Sequence, residues 1–118
     1  MFKTMTFIAL AIFSIQAFAE IELQGKFLRE ECTIKNGVAT KVQVFGKDKD
    51  MFLTTTKKVS IEGIEKYVHR AIAQIRGDRD VNAESSFKII IDGKPYEINH
   101  SDSDESLYVI RLIVKACN

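Results

Sequence analysis

The first 19 residues set the terms for everything after them. Lys3 is the single charge ahead of an apolar run holding Phe7, Ile8, Leu10, Ile12 and Phe13. Ala17-Phe18-Ala19 then presents the small-x-small pattern of a signal-peptidase site, just before the charged Glu20. This is the layout of a secretory signal peptide. The run is shorter than the roughly 20 apolar residues of a stable anchor, and no Cys near the cleavage point offers a lipid acceptor. The expectation is a signal peptide over 1–19 and a single domain over 20–118. That domain would be exported to a periplasm or the extracellular space, without membrane insertion after cleavage.

An oxidising destination gives the two cysteines a meaning. Cys32 and Cys117 stand near opposite ends of the 99 residues that remain. An even count in such a compartment predicts one disulfide, and the wide spacing argues against a redox pair of the Cys-x-x-Cys kind. With Lys3 removed, 16 basic residues face 16 acidic ones. A neutral chain of this kind lacks the concentrated positive charge that nucleic acid or an anionic membrane requires of a main partner. The short runs Lys47-Asp48-Lys49-Asp50 and Lys57-Lys58 read as solvated turns.

Alternation of Ile21, Leu23 and Phe27 with polar residues marks a half-buried strand, and a bulge or bend around residues 28–31 would shift the phase toward Cys32 and Ile34. Asn36-Gly37 and Asp92-Gly93 are hairpin signals. They predict strands at Val38–Val44 and at Phe87–Ile91 followed by Tyr96–Ile98. The β-branched stretch 51–59 predicts another strand. Pro95 has no N–H to donate and belongs at an edge or a strand start. Ile61, Ile64, Val68, Ala71, Ile72 and Ile75 form one apolar helical stripe, with Ser60 as its expected N-cap and Gly77 as its stop. Residues 107–116 are apolar on both sides and predict a central strand. The expected fold is therefore α+β, a mainly antiparallel sheet of about six strands in the order βββαβββ with one amphipathic helix packed on it.

Candidate chemistry is sparse. Asp78, Asp80 and Asn82 place oxygen ligands at alternate positions, as a calcium loop begins, but Ala83 and Ile89 stand where the loop needs Gly and a bidentate Glu. Calcium is the one cofactor this pattern raises, beside a plain solvated loop. The stretch His100-Ser101-Asp102-Ser103-Asp104-Glu105 is oxygen-rich, and neighbours in one loop seldom form a catalytic triad. His69 reads as part of the polar side of the helix, and Arg76-Gly77-Asp78 is too short a motif to carry adhesion. No phosphate loop, His-Glu-x-x-His pair or nucleophile elbow is present, so no catalytic residue is assigned.

The reading that fits these features is a small non-enzymatic binding or inhibitor-like module. It would engage another exported protein or peptide through a sheet face, a sheet edge near Pro95, or the Asp48 and Asp102 loops. One alternative is a small metal-dependent or hydrolytic enzyme using His100, Asp102 and Asp104. A further alternative is a structural component of an envelope assembly. Intact-mass measurement of the exported protein should show a chain that lacks residues 1–19; retention of Met1 would contradict the signal-peptide assignment.

Overall fold

In a computed structural model, which describes residues 20–76 and 84–118, the chain opens with four consecutive strands. These are β1 (Ile21–Lys26), β2 (Glu30–Lys35), β3 (Val38–Phe45) and β4 (Met51–Lys58). Helix α1 (Ile64–Ala73) follows, then β5 (Ser86–Ile91), β6 (Lys94–Ile98) and helix α2 (Asp104–Cys117). All six strands form one antiparallel sheet in the order β4-β3-β2-β1-β5-β6. The fold is α+β, with two helices packed on the sheet instead of the one expected.

Local chemistry explains most of the elements. Both expected hairpin turns form, with Asn36 and Gly37 at φ 52° and 74° and Asp92 and Gly93 at φ 50° and 85°. Positive φ at both central positions matches the twist of the flanking strands. Pro95 lies in β6, an edge strand, as its missing N–H requires.

Three expectations are corrected. Residues 21–35 form a hairpin and not one bulged strand: Phe27 N–H donates to the Glu30 carbonyl at 2.8 Å, and Leu23 faces Ile34 across the pair. The phase change is the reversal itself. Residues 107–116 belong to α2, not to a strand. Ser106, Val109, Ile110, Ile113, Ala116 and Cys117 are its buried stripe. Ser103 caps it by accepting the Ser106 N–H at 3.0 Å, with Asp104 and Glu105 at the positive end of the dipole and Lys115 at the other. Finally, α1 begins after Gly63 and not after Ser60. A turn in which Ile64 N–H donates to Ile61 needs the left-handed backbone of Gly63, φ 76°, to enter the helix.

The helices share one face of the sheet. Leu23, Ile34 and Ile89 rise from it to meet Val68 of α1 and Val109 and Ile113 of α2, each 1% exposed or less. The other face carries Glu22 opposite Ile90, and Lys88 opposite Glu97, with Gln24 donating to Glu31 at 2.8 Å. α2 packs tightly on the sheet above Gly25, where a Cβ would lie 2.8 Å from Ile113 Cγ2. Beside that contact the predicted disulfide is formed, joining Cys32 of β2 to Cys117 in the last turn of α2 across a sequence separation of 85.

Closing a loop that long restricts the unfolded chain and stabilises the fold by about 4–5 kcal/mol in the chain-entropy account. The double variant Cys32→Ala/Cys117→Ala should melt at least roughly 15 °C lower in a thermal scan. An unchanged melting temperature would show that the bridge contributes nothing.

Candidate functional site

The two edges of the sheet differ in chemistry. β6 is five residues long, contains Pro95, and is packed by α1. β4 is eight residues long, contains no proline, and every one of its residues is exposed. Its only described neighbour is β3, so its outer backbone N–H and C=O groups face solvent. Edges of this length are normally blunted by proline, a bulge or a covering element. In β4 only the terminal Lys57 and Lys58 serve that purpose. The end nearest the β3–β4 turn is apolar on both faces. Phe45, Met51 and Leu53 share the helix side and are 42%, 60% and 48% exposed, while Phe52, on the opposite side beside Val44, is 68% exposed.

The other half of β4 borders a groove. α2 crosses β1, β2 and β3, and a hollow of about 520 Å³ lies between its outer side and residues 57–60. Tyr108, Arg111 and Lys115 are exposed on that side of α2, and Lys57 faces them from the strand, while its neighbour Lys58, paired with Val38, lies on the opposite face of the sheet. Val59, Leu112 and Ala116 make the apolar floor. Three cationic side chains, Lys57, Arg111 and Lys115, thus face one groove with no Asp or Glu in its lining. Among the described residues none of the three pairs with a carboxylate; the single ion pair there is Lys35 Nζ to Glu20 Oε1 at 2.9 Å. That hydrogen bond, with the charge of Glu20 behind it, holds the Lys35 ammonium above the ordinary lysine range. The pair is exposed, so water screens it. Tyr108 is anchored by stacking on Tyr67 of α1, with ring centroids 4.1 Å apart.

The residues singled out in sequence are placed as follows. Asp78, Asp80 and Asn82 lie outside the described residues. His100 and Asp104 are exposed, in the β6–α2 turn and the first turn of α2 respectively. Asp102 is buried and serves the backbone: its Oδ1 accepts from Arg76 N–H at 3.2 Å and its Oδ2 from Asn99 N–H at 2.9 Å. The carboxylate therefore ties the segment after α1 to the turn before α2. His69 is exposed on α1. Among the described residues no three His, Cys, Asp or Glu side chains are grouped as a metal ion would need. Another hollow, about 700 Å³ between residues 61–66 and the start of β1, presents Glu20, Glu62, Glu65 and Lys66 and no nucleophile or histidine.

The groove was not legible in the sequence. Lys57-Lys58 reads there as a solvated turn, and Arg111 and Lys115 belong to a segment expected to be a strand. The signal that could have found it is the spacing of Tyr108, Arg111 and Lys115, one stripe on a helix.

No described helix is long and apolar enough to cross a membrane, and the disulfide is consistent with an oxidising, extracytoplasmic location. The chain matches no protein-family model, no curated protein and no solved structure. Substituting Asp102→Ala leaves two backbone donors without their acceptor and should cost about 1.5–3 kcal/mol, read as a lower denaturation midpoint in urea. A midpoint equal to that of the parent protein would refute the tethering role.

Proposed function

We propose that this is an exported, non-enzymatic binding module that takes up an extended polypeptide segment as a further strand on β4. The observation that carries the reading is the state of that edge: eight exposed residues with no proline, beside a β6 edge that is short and proline-bearing. An added strand gains main-chain hydrogen bonds from such an edge, and alternate side chains find sites on the two faces. The apolar residues Phe45, Met51, Phe52 and Leu53 supply contact area at one end. Export is supported by the signal-like residues 1–19 and by the disulfide.

The test uses the mature, disulfide-bonded protein and an eight-residue peptide alternating valine with glutamine. Hydrogen exchange at millimolar peptide should slow at alternate amides of β4, those that point away from β3, and leave β6 unchanged. Protection confined to β6, or none at β4, would overturn the reading. Concentration-dependent protection of β4 without peptide would reassign the edge to self-assembly.

A further inference from the structure

We infer that the segment bound along β4 is acidic, with carboxylates seated in the groove between the end of β4 and α2. This rests on the β4 reading and adds to it the chemistry of the partner. The chain is neutral as a whole once Lys3 is set aside, yet Lys57, Arg111 and Lys115 face one hollow without a carboxylate among its lining residues. Three like charges around one hollow repel one another, and anions relieve that repulsion when they enter. A second hollow of about 290 Å³ shares Lys57 and Ala116 with the first and runs back along β4 beside Thr55 and Thr56, with Lys41 and Asn118 also in its lining.

The groove is also shaped for a side chain with an apolar stem. Val59, Leu112 and Ala116 form its floor, with the Tyr108 ring alongside. Glutamate, whose methylenes can lie on that floor while its carboxylate meets a guanidinium or ammonium at the rim, suits such a site. Arg111 can receive a carboxylate through two parallel N–H bonds, which a lysine cannot do. Position along the edge follows as well. An extended segment paired with β4 sets its apolar residues beside Met51, Phe52 and Leu53, and its acidic residues beside Lys57 and Lys58.

Three fluorescein-labelled peptides test this by anisotropy: valine alternating with glutamate, with glutamine and with lysine. The glutamate peptide should bind about tenfold more tightly than the glutamine peptide at low ionic strength, and most of that margin should vanish at high salt. The double variant Arg111→Glu/Lys115→Glu, on the exposed side of α2, should reverse the order in favour of the lysine peptide. Far-UV circular dichroism and the absence of free thiol would show that the variant is folded. A second variant, Lys57→Gln/Lys58→Gln, should remove the glutamate preference without reversing it. Equal binding of the glutamate and glutamine peptides overturns the acidic partner and leaves the β4 reading standing. No binding of any peptide overturns both. Capture by anionic phosphatidylglycerol vesicles with no peptide binding overturns the proposal in favour of a lipid surface.

Discussion

The contact between α2 and the sheet at Gly25 governs the arrangement of the rest. A helix normally stands off a sheet by the length of two side chains. Here the absence of a Cβ at Gly25 lets Ile113 descend almost to the backbone of β1. That approach brings Cys117 within bonding distance of Cys32, and the disulfide then fixes the C-terminal end of the helix over β2. Packing and covalent bond reinforce each other. The helix sits low because residue 25 is glycine, and it stays low because its last turn is bonded to the next strand.

Pinning α2 there decides what is left uncovered. Two helices cannot cover six strands, and these two lie toward β6 and over β1 to β3. β4 receives no helix, so its side chains are solvated on both faces. The hydrophobic core therefore spans β3 to β6 and does not reach β4. It is complete under Leu23, Ile34 and Ile89 and gone by β4, where Thr54, Thr55 and Thr56 replace large apolar residues. The polar middle of β4 is consistent with exposure. The apolar group Phe45, Met51, Phe52 and Leu53 is not explained by the fold of an isolated chain, since none of it is buried.

Legibility followed the range of the physics involved. The turns Asn36-Gly37 and Asp92-Gly93 were readable because positive φ restricts residue choice locally. The stripe Ile64, Val68 and Ala71 was readable because an exposed opposite side makes the period plain. α2 was misread because it is buried against both the sheet and α1, so its apolar arc is wide. Its Val109, Ile110, Ile113 and Val114 are also β-branched, the composition of a strand. The capping Ser103 and the acidic pair after it were the contrary signal. The reversal at Phe27-Leu28-Arg29 carries no Gly, Asn or Pro and had no local signature. Among the candidate site residues, the Cys32–Cys117 pairing followed from count and compartment. The groove did not, because its cations come from strand and helix segments far apart in sequence and meet only through the packing of α2.

The disulfide encloses residues 32–117 in a covalent ring, and β1 lies outside it. Yet β1 occupies the interior of the sheet, hydrogen-bonded to β2 on one side and to β5 on the other. It is the only strand connecting the β4-β3-β2 group to the β5-β6 hairpin. Its register with β5 pairs Ile21 with Ile91, a contact between the beginning of the domain and a segment made much later. Such distant pairing bears the full entropy of closing the intervening chain before it returns any stabilisation. During synthesis, β1 can find β2 at once but must wait for β5 with one edge open. The first strand to be made is the one that joins the two halves of the sheet, so native structure is reached only by a nearly finished chain.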